Sequence, residues 1–349
     1  MSTFITVLSA ILVFGFLIFI HEFGHFITAR IFKVTVNEFS IGMGPKLVWY
    51  DSKRSGTRYS LAMLPIGGFV AMAGEDGESD DPNSFDKKPA WQRFIITVAG
   101  ASVNIIFGFL AMILLSAITD FGGTVVGEFV PTEQSGYEIS SESSGLLVHD
   151  EIVAIDGKRV KIADELSYEI MRRGYEPVDV TIIRDGEEIT LKDVVFPTHT
   201  ESGQTFGMMD FKVFRSDKNI GTVLSYSWSK AVLMIRMVYE SIIDLISGRY
   251  SLGAISGPVG ISSAIGTAAK AGFSSLLYIT VLISINLGIM NLLPIPALDG
   301  GRMLTILVEM VTRKRIPPKI EGIINGVGLA VLLLLSFVIM IKDVIQLIA

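Results

Sequence analysis

The chain has 349 residues, half of them hydrophobic and 18% charged, with a mean hydropathy of +0.54 and a formal net charge of −6. Ordinary soluble chains are about 25% charged, so the composition indicates a membrane protein with a soluble insert, and nothing in the charge balance suggests nucleic-acid binding. There is no cysteine, which excludes disulfides, thiolate metal sites and thiol nucleophiles.

A helix needs about 20 mostly apolar residues to cross a hydrocarbon core about 30 Å thick. Residues 4–31 are the first such stretch, interrupted in its second half by His21, Glu22 and His25. It has no basic leader and no small-residue cleavage signature, so it reads as a retained span and not a signal peptide. Residues 94–118 form a second span, free of charge and containing Asn104. Residues 119–198 then read as a small soluble domain of mixed α/β character. Strand-like runs occupy 124–130 and 151–155, helical spacing covers 163–173, and runs at 178–184 and 188–191 flank Asp185-Gly186, a strong short hairpin signal.

Residues 199–272 are expected to be a linker and an amphipathic helix. Over 225–248, Arg236, Glu240 and Asp244 recur every four residues and draw one charged stripe. Facing lipid, each would cost about 2.5–3.5 kcal/mol, so the helix is expected to lie in the interface rather than to span. Residues 273–293 form a third span holding Asn286 and Asn291, and Pro294-Ile295-Pro296 must end it. Residues 323–341 are a fourth, uncharged span. The expected organisation is therefore a membrane core in two parts, 1–118 and 273–349, with 119–198 and 199–272 inserted between them.

Lys and Arg in flanking loops set orientation. The first five residues carry none. The loop after the first span holds Arg30, Lys33, Lys46, Lys53, Arg54, Arg58, Lys87 and Lys88, and the one before the last holds Arg302, Arg313, Lys314, Arg315 and Lys319. Both loops are expected in the cytoplasm of a cell whose inner or plasma membrane holds the chain. Both termini and the insert then lie outside.

His21-Glu22-Phe23-Gly24-His25 has a mechanical meaning on a helix. Histidines at i and i+4 share a face and can hold one metal ion, while the glutamate between them can activate water. Ionisable residues inside a span are expensive and functional by default. The bland alternative, a polar flank just beyond the bilayer edge, fits poorly with the apolar Phe26-Ile27 and Ile31-Phe32 that follow. A catalytic zinc commonly has three protein ligands and one open position. His149 and His199 fall in or near the expected outside domain and read as surface residues. Asp299 arrives near the depth of His21, just after the Pro294 break, and is a candidate third ligand. Asp299-Gly300-Gly301 also reads as a plain turn, and spacing alone leaves both readings open.

His21-Glu22-Phe23-Gly24-His25 together with Asn291-Leu292-Leu293-Pro294-Ile295-Pro296-Ala297-Leu298-Asp299-Gly300-Gly301 resembles the site-2 protease family of intramembrane zinc metalloproteases, in the bacterial regulator-of-sigma-E protease branch. Phe39 to Pro45, Leu64 to Val70, Ala99-Gly100 with Asn104, and Ser256 to Ile261 also fit, so the resemblance covers essentially the whole chain. Ala101, where relatives often have proline, and Arg302, where many have histidine, depart from the pattern without touching a proposed ligand.

The resemblance implies a polytopic α-helical fold with four spans, a membrane-associated β-hairpin over about 58–73, and a single PDZ-like domain in the insert. It implies Zn2+ held by His21, His25 and Asp299, with Glu22 as base. Asn291, Asn286, Gly67 and Gly68 are then expected to contact substrate, which would be a transmembrane protein or peptide within the lipid bilayer. The residues themselves decide less. The asparagines also suit hydrogen bonding between membrane helices, and the 58–73 stretch alternates poorly enough to pass for a solvated loop. A membrane-tethered peptide-binding adaptor would leave the His-Glu-His cluster without a purpose. A metal transporter would need ionisable groups at several depths, yet the second and fourth spans contain none.

Overall fold

The computed structural model describes residues 2–75, 77–130, 139–201, 203–249 and 256–348. The chain divides into two compact units, one of residues 1–111 with 238–349 and one of residues 112–237. Among the described residues, four helices are long and apolar enough to cross a membrane: Phe4–Ile31, Ala90–Ile118, Phe273–Leu292 and Lys319–Asp343. These are the four spans expected from the sequence.

In the first unit, helix α1 (Ser2–Ile31) leads into the strands β1 (Val36–Asp51) and β2 (Arg58–Met72), which pair antiparallel. The hairpin is folded on itself. Phe39 has partners on both sides, Val70 and Tyr59, and so has Ile41, Gly68 and Leu61. The bends fall where the chain takes positive φ, at Gly42 (86°), Gly44 (91°) and Gly67 (88°), a backbone region that glycine enters without strain. Phe39, Val70 and Met72 are buried with Ala29, Ile96 and Ile306 in one apolar cluster, while Leu47, Val48, Trp49 and Tyr50 are exposed at the far end.

The helix α2 (Ala90–Ile118) crosses α1 closely. A Cβ on Gly24 would lie 2.6 Å from the Ala99 carbonyl oxygen, so only glycine permits the approach. Further on, α6 (Phe273–Leu292) ends at the proline pair, and a new helix α7 (Asp299–Thr312) begins at Asp299 itself. That helix lies in what the sequence suggests is only a loop. Its glycines are packing residues: a Cβ on Gly300 would fall 1.9 Å from the Leu293 carbonyl oxygen, and one on Gly301 2.6 Å from that of Ile295. Ala297 sits at φ 71°, and its N–H donates to Asn325 Oδ1 (3.2 Å) on the last helix, α8 (Pro318–Ile348). At its other end, α8 presents Asp343, which accepts the Gly260 N–H (2.9 Å) at the start of α5 (Pro258–Ala271). The Ser256 to Ile261 run thus forms a helix start fitted around a carboxylate, since a Cβ on Gly257 would lie 2.7 Å from Asp343 Oδ2.

The second unit is built on one sheet in the order β10-β3-β4-β6-β7, from β3 (Gly122–Phe129), β4 (Glu151–Ile155), β6 (Val178–Arg184), β7 (Glu187–Val194) and β10 (Phe211–Arg215). The short β5 (Lys158–Arg159) pairs with β4, and β8 (Thr198–Glu201) with β9 (Gln204–Gly207). Helix α3 (Ala163–Arg173) packs Leu166 and Ile170 into a core with Val126, Ile152, Ile182 and Phe211. The sheet continues beyond residue 198: β10 closes the edge against β3, and Ser216 N donates to the Phe121 carbonyl (3.0 Å). Residues 131–138 of the expected domain lie outside the described residues. The Asp185-Gly186 turn is as expected, with φ of 54° and 86° between β6 and β7.

The charged stripe of α4 (Ile220–Ile246) is engaged with protein. Arg236 pairs with Glu169 (2.6 Å) and Asp244 is buried, and outside the stripe Lys230 pairs with Asp164. Ile220, Leu224, Trp228, Val232, Ile243 and Ile246 are exposed instead.

Candidate metal centre

Three side chains converge in the first unit, one turn of α1 supplying two of them and the first residue of α7 the third. His21 Nε2 and His25 Nε2 are 3.3 Å apart, and Asp299 Oδ2 lies 3.1 Å from the first and 3.3 Å from the second. Among the described residues this is the one group of three or more potential ligands that meets within 4.8 Å. The triangle has the size of a face of a zinc tetrahedron: bonds of about 2.0–2.1 Å place ligand atoms about 3.3–3.4 Å apart. Asp299 Oδ2 is buried without an aligned hydrogen bond, although buried polar atoms are nearly always paired. The donor set therefore fits Zn2+. Burial pushes the Asp299 carboxyl up, yet the two imidazoles beside it hold it well below the usual carboxylate range.

The histidines are oriented from α2. His25 Nδ1 is 2.8 Å from the Ile96 carbonyl oxygen, which directs Nε2 inward. A Cβ on Gly100 would stand 2.3 Å from His25 Nε2, so the Ala99-Gly100 pair leaves the ring its place. His21 Nδ1 faces the side-chain amide of Asn104, 3.4 Å from its nitrogen.

Glu22 and the three convergent residues line a cavity of about 510 Å³ with Phe69 to Met72 of β2, Thr97, Glu75 and Arg302. Glu75 accepts from Arg302 Nη1 (2.5 Å), and its other oxygen accepts the Met72 N–H (3.3 Å), which ties the end of β2 to α7. Gly68 lies against Glu22, since a Cβ there would be 3.4 Å from Glu22 Cγ, whereas Gly67 packs on Met43. Asn291 is half-buried and Asn286 exposed on α6, and neither is among the residues lining this cavity. His149 stacks on Phe214 (5.3 Å) and His199 is exposed, both in the second unit. The roles of Ile96 and Gly100 were not visible in the sequence. The signal available for Asn104 was a lone amide in an otherwise apolar span.

A His-Glu-x-x-His helix that meets an aspartate from a later helix beside one cavity is the kind of arrangement a zinc metalloprotease uses. The chain belongs to peptidase family M50, the site-2 protease family, whose model matches residues 9–335. A protein of Clostridium acetobutylicum named as a zinc metalloprotease is 36% identical over 345 residues, covering 98% of both chains. One of Fusobacterium nucleatum with the same kind of name is 33% identical over 352 residues, covering 97% of this chain and 98% of the relative. The regulator of sigma-W protease RasP of Bacillus subtilis is 26% identical over 422 residues, again covering 97% and 98%. The chain is thus a multi-pass membrane zinc metalloendopeptidase, which sets aside the adaptor and transporter readings.

Proposed function

We propose that His21, His25 and Asp299 hold the zinc and that Glu22 is the general base in cleavage of peptide bonds within or near the transmembrane segments of membrane proteins. The observation that carries this is the triangle of ligand atoms 3.1–3.3 Å on a side, opening into a cavity that Glu22 also lines. Zinc bound there supplies a water acidified to a pKa of about 7 and a positive charge that polarises the scissile carbonyl. Glu22 takes the proton of the attacking water on its carboxylate and delivers it to the departing amine nitrogen. The strand edge at Phe69 to Met72 lies along the same cavity, a suitable place for an unwound substrate to add as a strand. A substrate must be unwound because a membrane helix conceals its peptide bonds. Gly68 keeps that edge close to Glu22, with Gly67 setting the bend before it. Asn291 and Asn286 are assigned to hold the substrate backbone farther along α6.

We also assign the second unit as one PDZ-like domain, α4 as a helix lying at the membrane surface, and the orientation in which both termini and the insert are extracytoplasmic. The name of RasP, a regulator of sigma-W protease, favours anti-sigma factors as the substrate class, with remnant signal peptides as the second.

In the decisive test, Glu22→Gln is expected to keep about one zinc per chain and to lose cleavage by about 10²- to 10⁴-fold, the usual worth of a general base. His21→Ala, His25→Ala and Asp299→Ala are expected to lose the zinc. Full zinc content in any of those three, or unchanged turnover in Glu22→Gln, overturns the assignment. Membrane stubs that accumulate in cells carrying Glu22→Gln identify the substrate.

A further inference from the structure

Asn104 is fully buried in α2. Its Nδ2 stands 3.4 Å from His21 Nδ1, and its Oδ1 is buried with no partner. Its main-chain carbonyl is already used, accepting from Ser284 Oγ (2.8 Å), and that contact is independent of the side chain. An uncompensated amide oxygen inside a membrane span is costly.

The proton inventory of His21 resolves the position. A neutral imidazole carries one N–H. If Nε2 is the lone-pair donor directed at Asp299 and His25, the proton is on Nδ1, and Nδ1 must then face an acceptor. The amide nitrogen is the wrong partner for it. Oxygen and nitrogen of a carboxamide are assigned from the hydrogen-bond network, and a half-turn of this amide puts Oδ1 opposite Nδ1–H. His21 then has the counterpart of what His25 has in the Ile96 carbonyl at 2.8 Å.

We propose that Asn104 is a positioning residue: its Oδ1 accepts from His21 Nδ1–H, fixing the tautomer and plane in which Nε2 faces the metal. The inference rests on the ligand assignment above. Through Ile96 and Asn104, α2 orients both imidazoles without supplying a ligand.

The test uses the purified full-length chain in detergent, with zinc affinity from chelator competition and the visible spectrum of the Co2+-substituted protein as readouts. Asn104→Leu removes the acceptor and is expected to weaken zinc by about 10- to 100-fold, the usual effect of losing such an outer contact, with a changed Co2+ spectrum. Asn104→Asp keeps an acceptor but no donor, and it is expected to bind zinc at least as tightly as the parent, with the parental spectrum. A merely structural role predicts that both variants suffer alike. The proposal is overturned if Asn104→Leu holds zinc as the parent does, or if Asn104→Asp is as weak as Asn104→Leu. His21→Ala, run in parallel, separates the two levels. If it retains zinc, the ligand assignment fails, whereas zinc lost from His21→Ala but kept in Asn104→Leu removes only the role of Asn104.

Discussion

Both units bury carboxylates, and Asp299 of the first is treated in the opposite way to Asp150 and Asp210 of the second. In the second unit, Asp150 accepts from Nε and Nη2 of Arg184 (2.7 Å each) and from the Leu147 N–H (2.8 Å). Asp210 takes the Ser141 hydroxyl (2.6 Å) and the main-chain N–H groups of Ser140 and Ser141 (2.9 and 3.0 Å). In the first unit, Asp299 faces two imidazole nitrogens and makes no aligned hydrogen bond from Oδ2. A carboxylate whose oxygens are saturated by the protein is holding a loop. One kept bare beside two histidines is reserved for something from outside, and the difference tells a structural acid from a working one.

The sharpest way to break this comparison is a crossed pair of variants. Asp299→Ala should empty the metal site, read as zinc per chain falling from about one to near zero, and leave resistance of the second unit to proteolysis unchanged. Asp210→Ala should do the reverse. It leaves buried donors unpaired at about 1–3 kcal/mol each, so the second unit should open more readily while zinc content stays at one. Zinc loss in Asp210→Ala would show that the two carboxylates are not separable.

Removing the second unit's sheet altogether is expected to have a smaller effect on the metal. Its entry and exit meet at the hydrogen bond from Ser216 N to the Phe121 carbonyl (3.0 Å), so residues 122–215 can be replaced by a short Gly-Ser link. The shortened enzyme should keep its zinc and accept substrates with larger ectodomains, because specificity can come from exclusion as much as from attraction. Cleavage of one substrate with and without its ectodomain, in both enzymes, measures this, and undiminished discrimination would remove the filter role.

The smallest expected effect lies in the loop before Asp299. A left-handed non-glycine residue costs about 1–2 kcal/mol, and at Ala297 the Asn325 side chain is its support. Asn325→Ala should weaken zinc by a few fold, and adding Ala297→Gly should restore it, since glycine needs no support there. Orientation has a separate test in a chain free of cysteine. Single cysteines at Ser55 and Thr312 should label from the cytoplasm, and one at Ser143 from outside.

Much of the candidate site was legible because its signals are local or chemically costly. Two histidines and a glutamate on one turn of an apolar helix, and an aspartate after a proline break, stand out against a lipid-facing sequence. The Asp185-Gly186 hairpin was legible for the same reason, both residues being needed at positive φ. What was hidden depends on pairing across long stretches of chain. The edge strand at 211–215 joins β3 across more than 80 residues, and no turn signal marks it. The helix starting at Asp299 was masked by Gly300 and Gly301, which read as a turn and serve as contact surfaces. The orienting oxygen of Ile96 belongs to the main chain and leaves no trace in the side-chain pattern.

The ligand set is also ordered in time. His21 and His25 leave the ribosome early, but Asp299 follows 274 residues after His25 (299 − 25), once the insert and the third span have been made. On this assignment, a nascent or truncated chain holds at most two imidazoles and no carboxylate, a poor zinc site and an inert enzyme. On that assignment, a protease that works among the membrane segments of other proteins gains its full ligand set only after its own third membrane segment has been made.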